Sequence, residues 1–186
     1  VPAAIGYSET INKNVEFGII RNHYVGRTFI EPTQQIRSLG VKLKHNVNKS
    51  LVKNKSIILI DDSLVRGTTS IKIVKMLYEA GAKEIHLRIA SPPIKYPDYY
   101  GVDTPDQNEL LASKLDIDSM KKLINATTLQ FLSLEGLYKS MGYEKRNASY
   151  PQFTDHCFTG EYPVEPIDAN KSNFENEQLS FMSTKS

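Results

Sequence analysis

Two adjacent acidic residues and a group of hydroxyl residues stand close together near the middle of the chain. Asp61 and Asp62 follow directly on an apolar run, and a Thr-Thr-Ser sequence at 68–70 comes soon after. Carboxylates at the end of a buried strand can accept hydrogen bonds from the vicinal hydroxyls of a sugar, or hold Mg²⁺ directly or through water. These residue types therefore predict a site for a sugar or a magnesium ion.

The residues that follow the acidic pair are suited to bind a phosphate group. Gly67 allows the backbone to approach a ligand closely, and the hydroxyl residues offer side-chain oxygens and free N–H groups at the start of a helix. Acidic residues next to such a phosphate-binding turn predict a site for ribose 5-phosphate. The alternative is a structural turn with an aspartate cap, but the whole string Ile58–Ser70 favours the site. The predicted binding residues are Asp61, Asp62, Ser63, Arg66, Gly67, Thr68, Thr69 and Ser70.

The flanking pattern predicts the elements that hold this string. The β-branched run Ile57–Ile60 is typical of a strand buried on both faces, and residues 70–80 show helical spacing of apolar side chains up to a stop at Gly81. Ile85–Ala90 alternates as a second strand. A strand, helix and strand in this order predict an α/β fold with a mostly parallel sheet flanked by helices.

The rest of the chain predicts shorter elements. These are helices over 106–113, 116–125 and 133–141, the last capped by Ser133, and a short buried strand at Leu129–Leu132. The periodicity fades after about residue 145. We therefore expect a core over 1–145 and an extension over 146–186, whose polar tail Asp168–Ser186 is expected to be mobile.

Composition excludes several classes of protein. The 186 residues carry a net charge of +2, which is too balanced for a general nucleic-acid binder, and no apolar run is long enough to span a membrane. The single cysteine, Cys157, cannot form an internal disulfide and fits a reducing cytoplasm. The basic residues of 31–55 form either a solvated surface or an electropositive rim for an anionic substrate. Because the chain opens at Val1 without an initiator Met, we expect an N-terminally truncated fragment.

Ile58–Ser70 resembles the phosphoribosyl pyrophosphate (PRPP) motif of type I phosphoribosyltransferases, and its Ser-x-Val-Arg-Gly-Thr-Thr-Ser variant is similar to that of the glutamine PRPP amidotransferase (amidophosphoribosyltransferase) family. The resemblance covers roughly residues 1–165. The other matching segments are Ile20–Ile30, which looks like that family's catalytic loop, Ser91–Pro97, Tyr100–Thr104 and Phe158–Pro163.

The resemblance implies the phosphoribosyltransferase part of an enzyme that makes 5-phosphoribosylamine from PRPP and glutamine-derived ammonia, the first step of purine synthesis. Asp61 and Asp62 would then contact the ribose hydroxyls and Mg²⁺. The implied catalytic residues, on a loop that closes over PRPP and contacts its pyrophosphate, are Arg21, Tyr24, Arg27 and Thr28. Without the resemblance, Arg27 would be read as a solvated arginine. The resemblance also implies purine nucleotide inhibitors and a homo-oligomeric full-length enzyme.

The chain departs from this family in two respects. It carries no N-terminal cysteine nucleophile for glutamine hydrolysis, and Cys157 is read as structural. We also expect no iron–sulfur cluster, because Asp98 and Thr154 stand where cluster-binding members have cysteines. Two alternative functions stay open at this point: a stand-alone salvage phosphoribosyltransferase, and a non-catalytic PRPP or nucleotide sensor or remnant.

Overall fold

A computed structural model describes residues 1–21, 45–102, 104, 106–147 and 149–164. The elements within these ranges are, in chain order, α1 (Pro2–Thr10), β1 (Ile19–Arg21), β2 (His45–Val47), α2 (Lys49–Val52), β3 (Ser56–Asp61), α3 (Thr68–Glu79), β4 (Glu84–Ile89), a 3₁₀ turn (Gln107–Glu109), α4 (Leu111–Lys114), α5 (Ile117–Ile124), β5 (Thr128–Phe131), α6 (Leu134–Ser140) and α7 (His156–Thr159). Among the helices described, none combines the length and hydropathy that a bilayer crossing requires.

Three strands form the central sheet. β3, β4 and β5 lie in that order and are parallel, and β3 pairs with β4 from Ser56 opposite Glu84 to Asp61 opposite Ile89. β1 and β2 form a separate antiparallel pair in which Arg21 lies opposite His45. The strand–helix–strand unit and the α/β fold predicted from the sequence are therefore confirmed.

One face of the central sheet carries the hydrophobic core. The buried side chains that form it come from alternate positions of β4 and from single stripes of the helices α3 and α5, as expected when a pleated sheet packs against amphipathic helices. They include Ile85, Leu87 and Ile89 of β4, Val74 and Leu77 of α3, and Met120 and Ile124 of α5.

The prediction that β3 is buried on both faces is wrong, because none of its residues is fully buried. Ile57 and Leu59 pack against the core, whereas the side chain of Ile58 on the opposite face is 42% exposed. The physical reason is that residues 56–61 of β3 border an open groove of about 590 Å³, which α1 lines on its other side. An uninterrupted apolar run does not reveal which of its faces is covered.

The ends of α3 agree with the sequence pattern, although the helix begins at Thr68 rather than at residue 70. Ala80 is its C-cap, and Gly81 follows with a positive φ of 95°, so the predicted stop is confirmed.

The predicted cap of α6 is confirmed as well, because the Ser133 hydroxyl accepts a hydrogen bond from the Gly136 N–H at 2.9 Å. The helix predicted over 106–113 is interrupted, since Leu110 is extended between the 3₁₀ turn and α4.

Residues beyond 145 pack against the preceding part of the chain. The Tyr138 hydroxyl on α6 donates to Asp155 at 2.9 Å, and Arg146 bridges Asp155 and Glu161. Burial alone would raise the pKa of Asp155, but its hydrogen bonds from Arg146 and Tyr138 outweigh burial and lower that pKa. The boundary at residue 145 stays a prediction, and the tail Asp168–Ser186 lies outside the described residues.

Candidate active site

The carboxyl end of β3 presents the acidic pair. The backbone carbonyl of Asp61 accepts a hydrogen bond from the Ala90 N–H at 2.9 Å, which continues the pairing with β4. The Asp61 carboxylate accepts from the Asp62 N–H at 3.0 Å, while Asp62 is exposed and accepts from the Ser63 hydroxyl at 3.0 Å. One carboxylate is therefore shielded and held in place, and the other faces solvent.

The surroundings of Asp61 raise the pKa of its carboxyl group above the ordinary value. Burial is the largest cause and raises the pKa of Asp61, and the neighbouring charge of Asp62 adds to it. The hydrogen bond from the Asp62 N–H and the charge of His45 act in the opposite direction but do not outweigh them. A cation placed between the two aspartates would reverse this balance, because it would stabilise both charged forms.

The turn after the acidic pair is fixed by packing on one side and by the backbone on the other. Leu64 is buried in the core, and the carbonyl of Val65 accepts a hydrogen bond from the Leu111 N–H at 2.8 Å. These two anchors hold the turn at the end of β3. The residues that follow Val65 therefore enter α3 at the same edge of the sheet as the two aspartates.

Gly67 is the residue that starts α3, and the structure requires a glycine there. Its φ is +76°, a left-handed conformation, and a Cβ atom at this position would lie 2.9 Å from the Cδ2 atom of Leu111. Among the described residues, no side chain forms a capping hydrogen bond at the N-terminus of α3. Its first-turn N–H groups and the positive end of the helix dipole are therefore available to an anion.

The predicted hydroxyl residues differ in exposure. Thr68 is exposed, Thr69 is half-buried and Ser70 is buried with 3% of its surface accessible. Thr68 and Thr69 are thus placed to offer their hydroxyl groups to a ligand, whereas Ser70 is better placed to contribute its backbone N–H.

Arg66 is engaged with a residue that sequence reasoning did not find. Its Nε donates to a carboxylate oxygen of Glu109 at 2.5 Å, and both side chains are about half exposed. An anion that binds Arg66 must therefore compete with Glu109. Nothing in the spacing could have revealed this pair, because Arg66 lies in the turn after β3 and Glu109 lies 43 residues later in the 3₁₀ turn.

The antiparallel pair of β1 and β2 lies beside the acidic pair. Arg21 ends β1 opposite His45, and the charge of His45 acts on Asp61. The sequence placed His45 only within a basic stretch, without a role at the site. The other residues predicted to be catalytic, Tyr24, Arg27 and Thr28, lie outside the described residues.

Relatives of known identity match nearly the whole chain. No protein-family model matches it. An amidophosphoribosyltransferase of Rhizobium etli is 56% identical over 177 residues, which are 95% of the chain and 36% of that protein. The amidophosphoribosyltransferase of Bacillus subtilis is 47% identical over 165 residues, 89% of the chain and 34% of that protein.

A solved structure agrees with these relatives. It is glutamine PRPP amidotransferase from B. subtilis complexed with ADP and GMP, with a TM-score of 0.77 and 47% identity over 90% of the chain and 36% of that protein. The chain is homologous to the phosphoribosyltransferase region of amidophosphoribosyltransferases. The chain spans about a third of the length of these relatives.

Proposed function

We propose that this amidophosphoribosyltransferase homologue binds PRPP together with Mg²⁺ and transfers the phosphoribosyl group to ammonia. The observation that supports this most directly is the juxtaposition at the end of β3. Asp61 and Asp62 stand immediately before a turn that leads into the uncapped N-terminus of α3. Two carboxylates beside a helix N-terminus suit a sugar phosphate, and the relatives are named as amidophosphoribosyltransferases, which agrees with such a ligand.

The substrate contacts follow from the chemistry of each group. The 5-phosphate is proposed to lie at the N-terminus of α3, held by the N–H groups of residues 67–70 and by the hydroxyls of Thr68 and Thr69. The ribose hydroxyls donate hydrogen bonds to the carboxylates of Asp61 and Asp62. Arg66 adds a positive charge once it exchanges Glu109 for the phosphate.

The acidic pair also fits the magnesium ion. Both donors are carboxylate oxygens, the ligands that Mg²⁺ prefers, and a cation would offset the cost of the buried charge on Asp61. Mg²⁺ bound here would neutralise negative charge on the pyrophosphate as it leaves. We assign Asp61 and Asp62 as the residues that hold it.

In the proposed reaction, the bond between C1 of the ribose and pyrophosphate breaks while the nitrogen lone pair of ammonia forms a new bond to C1. A proton then leaves the nitrogen for solvent, and the products are 5-phosphoribosylamine and pyrophosphate. Positive charge develops on the sugar, which the carboxylates of Asp61 and Asp62 stabilise. The family resemblance assigns the pyrophosphate to Arg21, Tyr24, Arg27 and Thr28.

We extend the proposal to the whole protein. The solved relative is complexed with ADP and GMP. A purine nucleotide carries a 5′-phosphate, so we propose that such nucleotides inhibit by competing for the N-terminus of α3. The full-length enzyme is proposed to obtain ammonia from glutamine, to be a homo-oligomer and to work in the cytoplasm, without a nucleic-acid partner.

The test of PRPP binding is calorimetry in the presence of Mg²⁺. We expect the double variant Asp61→Asn, Asp62→Asn to lose Mg²⁺-dependent binding, since both anchors lose their charge. Asp118→Asn is the matched control, because Asp118 is an exposed aspartate on α5 that pairs with Lys121. This variant should bind PRPP as the wild type does. Undiminished affinity in the double variant would contradict the assignment.

The test of transfer is ammonia-dependent formation of phosphoribosylamine by the full-length protein. Activity with ammonia, and none with free purine bases, would support the proposal over a salvage enzyme. PRPP binding with no transfer to either acceptor would instead identify a sensor.

A further inference from the structure

Three potential metal ligands meet where the loop after β4 reaches α7. A carboxylate oxygen of Asp98, a ring nitrogen of His156 and the sulfur of Cys157 all lie within 4.8 Å of one another. The side chains of Asp98 and His156 are only 6% and 4% exposed, and Cys157 is half-buried. This cluster plays no part in the proposed reaction with PRPP.

The backbone holds this cluster in place. One Asp98 oxygen accepts hydrogen bonds from the N–H groups of Val102 at 2.7 Å and Tyr100 at 3.2 Å. On the α7 side, the carbonyl of Cys157 accepts from the N–H groups of Lys95 and Tyr96 at 2.9 and 3.1 Å. The loop and α7 are thereby joined independently of the three side chains, so the ligand positions do not depend on a bound ion.

The hydrogen bonding of His156 is incomplete. Its Nε2 lies 2.5 Å from the second oxygen of Asp98, but its Nδ1 is buried and has no hydrogen-bond partner in the part of the chain that the structure describes. Because Asp98 is the one hydrogen-bond partner of this imidazole among the described residues, Nε2 can move from Asp98 to a bound cation without the loss of any other such bond.

We propose that Asp98, His156 and Cys157 bind one Zn²⁺ ion. Thiolate, imidazole and carboxylate together suit Zn²⁺, whereas Mg²⁺ and Ca²⁺ prefer oxygen ligands alone. Tetrahedral bonds of the usual length place ligand atoms about 3.3–3.8 Å apart, which is within the spread of this cluster. Water completes the fourth position.

Binding requires an exchange of a proton for the ion. Zn²⁺ displaces the proton of the Cys157 thiol, which is released to solvent, while His156 binds through Nε2 as the neutral imidazole that carries its one ring proton on Nδ1. The atoms of Asp98 and His156 that now share a hydrogen bond move apart by less than an ångström to become ligands. The bound ion then links the loop after β4 to α7.

The test is a titration of the chelator-treated chain with Co²⁺, followed by displacement with Zn²⁺. Cys157 is the only cysteine, so a thiolate-to-cobalt charge-transfer band reports directly on this site. We expect one equivalent to bind, the band to vanish in Cys157→Ser, and Zn²⁺ affinity to fall in Asp98→Asn and His156→Gln by more than the about 10–100-fold that loss of an outer-shell partner costs. The control is His86→Gln, a half-buried histidine on β4 with hydrogen bonds of its own, which should bind the metal normally.

Several results would overturn the proposal. One is the absence of any Co²⁺ or Zn²⁺ binding by the folded wild-type chain, and another is unchanged binding in Cys157→Ser. Metal analysis of protein purified without chelator gives a second measurement that needs no variant. Zinc near one equivalent supports the site, whereas iron with sulfide would show a cluster instead. PRPP binding is measured separately, so failure here leaves the proposed function untouched.

Discussion

Gly67→Ala tests whether the start of α3 depends on a glycine. An alanine would have to adopt φ near +76°, which costs about 1–2 kcal/mol for an L-residue. Its Cβ would also lie 2.9 Å from Cδ2 of Leu111, a side chain that packs against the core, and such overpacking costs about 1–3 kcal/mol. The sum predicts a loss of about 2–5 kcal/mol in the free energy of unfolding.

Gly142→Ala is the matched control for this prediction. Gly142 has a similar φ of +86°, but a Cβ there would meet no atom within 4 Å. Its substitution should therefore cost only the backbone strain, about 1–2 kcal/mol. The difference between the two variants isolates the contact with Leu111.

Urea denaturation of both variants, alone and with Leu111→Ala, measures these terms. Leu111→Ala removes the atom that the new Cβ would meet, so the cost of Gly67→Ala should fall to that of Gly142→Ala in this background. PRPP affinity of Gly67→Ala should also fall, because the first-turn N–H groups of α3 move. The reasoning is refuted if Gly67→Ala costs no more than the control, or if Leu111→Ala leaves its cost unchanged.

Three further predictions concern charged residues. Asp61→Asn should stabilise the chain at neutral pH, because the pKa of Asp61 is raised in the folded state. The wild type should regain this stability as the pH falls toward the unfolded-state pKa of the aspartate. Denaturation of the wild type and the variant at neutral pH and at that lower pH measures the difference in the free energy of unfolding. Asp155→Asn should lower the free energy of unfolding by about 1.5–3 kcal/mol, because Arg146 loses its buried carboxylate partner but keeps Glu161. Since the pKa of Asp155 is lowered, the wild type should lose this stability as the pH falls through that folded-state pKa, whereas thermal melts of the variant should show no such loss. Arg27→Ala in the full-length protein should lower ammonia-dependent turnover about 10²–10³-fold and weaken PRPP binding less, and a normal rate would remove Arg27 from the mechanism.

The central part of the fold could be predicted because its pattern is periodic. The strand ending at Asp61, the helix ending before Gly81 and the alternating strand that follows all have clear signals over several residues. The short elements were harder. Leu110 interrupts a predicted helix and α7 was not predicted at all, since a single turn of helix is too brief to establish a period.

The candidate site divides in the same way. Its contiguous part, Asp61–Ser70, was found from the sequence because the strand end, the turn and the helix start are consecutive. Glu109 and His45 were not assigned to it, because contacts between distant segments leave no trace in local spacing. The unsatisfied ring nitrogen of His156 also could not be foreseen, since it depends on what surrounds the ring in three dimensions.

The position of β3 in the sheet affects how the chain behaves in concentrated solution. Within the described residues, β3 is paired with a strand on one side only, so its other edge carries N–H and C=O groups without a strand partner. Such edges are templates for the addition of a strand from another molecule. The exposed apolar side chain of Ile58 favours such an association at the edge of β3. We therefore expect the chain to aggregate edge to edge as its concentration rises, and a lysine in place of Ile58 to keep it monodisperse.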